Sequence, residues 1–197
     1  MRALLPVTVL LASIVTMTPS SAKAPQCAAA PKSAEVNAIA KPFTGAPLRV
    51  SRHAFLETTP KDLYPFLVEP DKLPLWIEGV TGVTYDHAHS SSTGELGVGS
   101  LRSLDFGGTP DKERVVISDP GVRIGYRILS GPPVTAHLAI MTLKPSDGGV
   151  IFSWFQYYDP SNLIASLFIT PRVRSFVKGS MKNLIASLGG EDLGSCD

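Results

Sequence analysis

Neither sign of charge dominates this chain: 18 Lys and Arg face 17 Asp and Glu. That balance excludes the basic surface that nucleic-acid binding requires. Cysteine is scarce, with Cys27 and Cys196 alone in 197 residues. His87 and His89 stand two apart with no third ligand near them, and zinc wants four. The only long apolar run, Ala3 to Met17, is too short and too interrupted for a spanning helix. Gly94-x-x-Gly97-x-Gly99 has the wrong spacing for a dinucleotide fingerprint. Ser175-x-x-Lys178 lacks the partner motifs that would make it a nucleophile. No metal and no cofactor are therefore expected.

The chain opens with Arg2, the apolar run and Thr18-Pro19-Ser20-Ser21-Ala22, the pattern of a secretory signal peptide over 1–22. Cleavage is expected after Ala22, because cutting after Ala24 would leave Pro25 at the new terminus. An uncleaved anchor is the alternative. A lipidated Cys27 lacks the small residue that should precede it. Loss of Arg2 takes the formal net charge from +1 to 0. The mature protein is then secreted or periplasmic. Residues 23–46, rich in Ala, Pro and Lys, read as a flexible leader. Residues 47–190 read as one domain and 191–197 as a tail. In an oxidising compartment Cys27 and Cys196 are expected to pair. Two free thiols on floppy ends are the alternative.

Three antiparallel strands are written into residues 99–128. Gly107-Gly108 is a two-residue hairpin turn, and counting outward from it sets Arg102 opposite Glu113. The turn Asp119-Pro120-Gly121-Val122 pairs Val115 with Tyr126. Alternation then gives one face Arg102, Leu104, Phe106, Glu113, Val115, Ile117, Ile124, Tyr126 and Ile128. The opposite face carries Arg114, Arg123 and Arg127. The apolar face must be buried, yet it contains an ion pair and a tyrosine. Such a pair is costly to bury, which marks this sheet as a cavity wall.

Elsewhere, 48–57 and 80–85 read as strands. Thr59-Pro60 opens a helix that Pro70 stops, and a second short helix holds Trp76. Strands 134–144 and 149–158 flank Pro145-Ser146-Asp147-Gly148. A four-residue loop there pairs His137 with Gln156, Met141 with Phe152 and Ala139 with Trp154, one bulge being enough to flip every side chain. Thr170-Pro171 opens a closing helix to Leu188, with a stripe of Val173, Val177, Ser180, Leu184 and Leu188. The result is an α+β domain whose closing helix covers an antiparallel sheet of about seven strands.

Several short motifs carry a family resemblance: GVGSLR at 97–102, GG and ERVV within 107–116, DPGVRIGYRI at 119–128, GPPV at 131–134, and a tryptophan-bearing strand after Gly148-Gly149. In this order and spacing the chain resembles the START-related superfamily of polyketide cyclases and dehydratases, pollen allergens and bacterial lipid-binding proteins. The resemblance implies a helix-grip fold, a curved sheet around the C-terminal helix with a cavity between. It implies a carrier of hydrophobic ligands, though some branches are enzymes. Arg102 and Glu113 match positions where the cyclase-like branch often shows Arg and Glu.

On these registers the ligand-binding candidates are Arg102, Glu113, Tyr126, His137, Met141, Phe152, Trp154 and Gln156. Arg102 would anchor a head group through its forked donors, or serve only as a structural cross-strand partner. Glu113, His137 and Tyr126 are candidates for acid–base chemistry, although a histidine on an apolar strand is more often a hydrogen-bonded core residue. Trp76 and Trp154 line a pocket or fill the core. Arg172, Arg174, Lys178 and Lys182 on the closing helix form either a solvated face or a contact with anionic membrane lipid, with LIASLFI at 163–169 as the gate. The leading expectation is an exported carrier of a lipid-like or polycyclic molecule. A cyclase or dehydratase using the same cavity is the alternative, and an accessory protein for another exported enzyme is a third.

Overall fold

A computed structural model describes residues 26–196. The signal peptide expected over 1–22, with its cleavage site, lies outside them. Helix α1 (Ser33–Ala40) precedes strand β1 (Leu48–Leu56), which leads into helix α2 (Pro60–Val68). The Thr59 hydroxyl caps α2 by accepting the Asp62 backbone N–H at 3.2 Å. Pro70 keeps Glu69 extended and ends the helix. A 3₁₀ turn (Leu73–Leu75) then brings Trp76 into the core. Strands β2 (Gly82–Asp86), β3 (Leu101–Asp105), β4 (Asp111–Asp119), β5 (Arg123–Ser130), β6 (Val134–Ser146) and β7 (Gly149–Pro160) follow. Helix α3 (Leu163–Leu188) and strand β8 (Gly190–Gly194) close the chain. One antiparallel sheet results, ordered β2-β3-β4-β5-β6-β7-β1-β8. Its inner face packs Leu104, Val115, Tyr126, Met141, Phe152 and Trp154 against Val177, Met181 and Leu184 of α3.

The hairpin arithmetic holds at the centre: Arg102 faces Glu113, and Val115 faces Tyr126. Ile117 departs from it. A bulge between Val115 and Ile117 sets Ile117 opposite Gly125 and turns it to the outer face, beside Phe155 and Tyr157. Gly125 makes room, since a Cβ there would lie 2.9 Å from Ile117 Cδ1.

The β6–β7 turn is two residues, not four. Ser146 pairs with Gly149, so Met141 faces Trp154, Leu143 faces Phe152 and Ala139 faces Gln156. A shift of two leaves every side chain on its expected face.

The leader is not a flexible segment throughout. Helix α1 (Ser33–Ala40) buries Val36 and Ala40 against Leu138, Ile140, Phe155 and Tyr157 on the outer face of the sheet. Tyr157 donates to Asn37 Oδ1 at 2.9 Å. The reason lies in β6 and β7, buried on both faces from His137 to Leu143 and from Val150 to Tyr158. Two apolar faces require two covers, and α1 is the second.

The expected tail is also ordered. Strand β8 pairs with β1, and Arg52 forms an ion pair with Asp192. Cys27 and Cys196 form a disulfide packed beside Ala30, Phe55, Ile151 and Leu193.

Helix α3 starts two turns before the expected Pro171. Asn162 caps it, its Oδ1 accepting from Ala165 N at 2.8 Å, and Pro171 lies inside the helix.

Candidate functional site

Between the inner face of the sheet and the N-terminal half of α3 lies a cavity of about 570 Å³, within the usual range for small-molecule sites. Apolar walls come from Ile77, Leu104, Phe106, Ile128, Trp154, Ile169, Val173 and Phe176. Its polar wall holds Arg102, Glu113, Tyr126, His137 and Gln156, with the charged side chains of Glu78, Asp111 and Arg172 also in the lining.

Arg102 is 1% exposed and Glu113 4%. Arg102 Nε donates to Glu113 Oε2 at 2.7 Å. Nη2 lies 2.6 Å from the same oxygen but out of line for a hydrogen bond, and Nη1 has no acceptor. The guanidinium carbon sits 4.3 Å from the centre of the Tyr126 ring, a cation–π contact strengthened by burial. Desolvation alone would lower the proton affinity of Arg102. Glu113, with the phenols of Tyr85 and Tyr126, outweighs it and leaves the guanidinium more firmly protonated than usual. Burial pushes the Glu113 carboxyl up, against the pull of Arg102. Burial and the Glu113 charge also hold the Tyr126 phenol protonated, while Arg102 and Trp154 pull the other way. Trp154 Nε1 is buried with no hydrogen-bond partner.

His137 has a different task. Ala136 takes φ +49° at the β6 bulge, where pairing with β5 stops. The Ile128 N–H, left without a strand partner, donates to His137 Nδ1 at 3.1 Å. The imidazole proton must then sit on Nε2, which lies 2.9 Å from Gln156 Oε1. Burial pushes the His137 pKa down to about 4, against the Gln156 hydrogen bond. At neutral pH it is an uncharged group with both nitrogens occupied.

Met141 and Phe152 line no part of the cavity. Both are fully buried in the core, because α2 and the 3₁₀ turn fill that end of the sheet with Leu63, Leu67, Leu73 and Trp76. Phe152 packs edge-on to Trp76 with ring centres 6.0 Å apart. The α3 wall uses Ile169, Arg172, Val173 and Phe176, sharing only Val173 with the expected stripe. Their spacing of three and four was visible once α3 was extended past Pro171. Arg172 brings a second cation to the cavity besides Arg102. His87 Nδ1 is 3.0 Å from Ser100 Oγ, and no group of three or more His, Cys, Asp or Glu among the described residues could hold a metal.

Residues 47–189 match the family described as polyketide cyclase / dehydrase and lipid transport. The chain belongs to that family. Its members' architecture recurs in solved structures of low identity. A Thermobifida fusca protein is 20% identical, with a TM-score of 0.55, covering 68% of this chain and 89% of its own. The protein XoxI from Bacillus cereus is 16% identical, with a TM-score of 0.56, covering 71% and 94%. The Aha1 dimer from Colwellia psychrerythraea is 12% identical, with a TM-score of 0.51, covering 71% and 94%. At these identities the likeness concerns the fold. No curated protein matches the chain.

Proposed function

We propose that this protein is an exported carrier of one hydrophobic, lipid-like or polycyclic molecule, held between the sheet and α3. The observation that carries this reading is a largely apolar cavity of about 570 Å³ in which the carboxylate of Glu113 and the imidazole of His137 are already engaged. Glu113 is held by Arg102, and His137 by Ile128 and Gln156. A general base needs a free lone pair within reach of its substrate, and His137 offers none. Export is supported by the signal-peptide pattern and by the disulfide.

Loading takes place at an anionic membrane surface. Leu163, Ile164, Leu167 and Phe168 are 83%, 70%, 76% and 48% exposed at the first turns of α3, and Phe168 also lines the cavity. Arg172, Arg174, Lys178 and Lys182 follow on the same helix, which has no acidic residue. Apolar anchors beside cations suit anionic lipid.

Native mass spectrometry of the protein purified from its own host tests the carrier reading, the expected result being a co-purifying apolar molecule. Sedimentation with phosphatidylglycerol vesicles, but not with phosphatidylcholine vesicles, tests the membrane contact.

A cyclase or dehydratase is the second reading. It is supported by the buried Glu113 carboxyl, whose raised proton affinity suits a general acid. Turnover of a polyketide substrate that Glu113→Gln abolishes would establish it.

A further inference from the structure

The cavity holds two buried donors that the protein leaves without acceptors, Arg102 Nη1 and Trp154 Nε1, each on a residue 1% exposed. Both belong to side chains of the cavity wall, and both lie near enough to the Tyr126 hydroxyl to oppose its shift. Leaving a buried donor unmade costs about 1–3 kcal/mol, more for a charged one. The nearby oxygens do not serve them: Glu113 Oε2 is taken by Arg102 Nε and Gln156 Oε1 by His137, and neither the Tyr85 nor the Tyr126 hydroxyl bonds Nη1 or the indole N–H. Because His137 donates to Oε1, the remaining polar atom of Gln156 is its amide nitrogen, another donor. Tyr126, kept protonated, is a further one. This wall asks for an acceptor oxygen.

The charge of that oxygen follows from the ion pair. Arg102 and Glu113 neutralise one another at 2.7 Å. The second cation of the lining, Arg172, is outnumbered there by the carboxylates of Glu78 and Asp111, so an anion placed beside the pair finds no unspent positive charge and becomes a buried charge of the costly kind. A neutral carbonyl brings two lone pairs and no charge.

Resting on the carrier reading, we propose that the ligand is recognised through a neutral carbonyl oxygen, of an ester, ketone or quinone, received by Arg102 Nη1 and Trp154 Nε1. A free carboxylate is disfavoured at this position. Arg102 thus selects a neutral acceptor even though it is a cation, because Glu113 has already spent its charge.

The test uses three fluorescent probes titrated into the full mature protein at pH 8. Diphenylhexatriene, a hydrocarbon, reports the cavity alone. The methyl ester of cis-parinaric acid and the free acid report the head group. The ester should bind at least tenfold more tightly than the acid. In Trp154→Phe, which keeps a ring but removes the N–H, the ratio of ester to diphenylhexatriene affinity should fall about tenfold. Binding of the hydrocarbon with the acid as tight as the ester, or an unchanged ratio in Trp154→Phe, overturns the carbonyl assignment and leaves the carrier reading standing. Failure of all three probes to bind overturns both.

Discussion

His137 and Gln156 are joined by a 2.9 Å hydrogen bond, although the residue opposite Gln156 in the ladder is Ala139. The β6 bulge brings the imidazole to Gln156 and, at its other nitrogen, to the Ile128 N–H. His137 therefore repairs a gap in β5–β6 pairing, and its charge state bears on stability.

With its pKa at about 4 in the folded protein and near 6.5 in the unfolded chain, His137 binds more protons when unfolded. Its contribution is complete above about pH 6.5 and disappears as pH falls toward 4. The shift corresponds to a loss of about 3 kcal/mol at most. Urea unfolding between pH 7 and pH 4 should show this decline, and His137→Gln should flatten it.

Breaking the Arg102–Glu113 pair from one side strands a buried charge. Arg102→Met and Glu113→Gln should each cost about 3–5 kcal/mol in urea unfolding. The double variant Arg102→Met/Glu113→Met should recover much of that loss, since apolar replacement of a buried pair is often neutral. Additive losses would show that the two residues act separately.

Reduction of Cys27–Cys196 should lower stability. The two residues are 169 apart in sequence, and the chain-entropy model gives about 5 kcal/mol for so long a loop. Thermal unfolding of Cys27→Ser/Cys196→Ser against the oxidised protein measures it. The same substitution should make α1 and β8 exchange amide hydrogens faster than the sheet centre.

At Gly125 the outer face leaves no room for a side chain. A Cβ would meet Ile117 Cδ1 at 2.9 Å, so Gly125→Ala should destabilise by about 1–3 kcal/mol through overpacking. Ile117→Ala in the same protein should relieve part of it, a coupling that denaturant midpoints of the single and double variants would reveal.

The sequence disclosed structure wherever a local rule had one solution. Gly107-Gly108 determined the Arg102–Glu113 register, and Thr59-Pro60 the start of α2. Even the misjudged β6–β7 turn kept Trp154 and Gln156 on the inner face, because its error was an even number of residues. The β4 bulge was invisible locally, since its cause, the space above Gly125, belongs to the next strand. Helix α1 was obscured because its eight residues, about two turns of weakly apolar sequence, gain stability only from the outer face of β6 and β7. The mostly apolar stretch from Val150 to Tyr158, broken only by Ser153 and Gln156, was the available sign that this face needed covering. Likewise Pro171 looked like a helix start because proline is tolerated at the first turn, and Asn162 supplied the actual cap. Met141 and Phe152 were assigned to the cavity by face alone. Face does not say which end of a sheet another element fills.

The disulfide has a topological consequence. With Cys27 bonded to Cys196, the chain from one to the other is a covalent ring. A protease that cuts the exposed stretch Thr93–Glu95 opens this ring without releasing a fragment. The two pieces stay attached at the end of the molecule remote in sequence from the cut, and each keeps strands that pair with the other, β1 with β7 and β2 with β3. A molecule built this way survives a single cleavage there as one body.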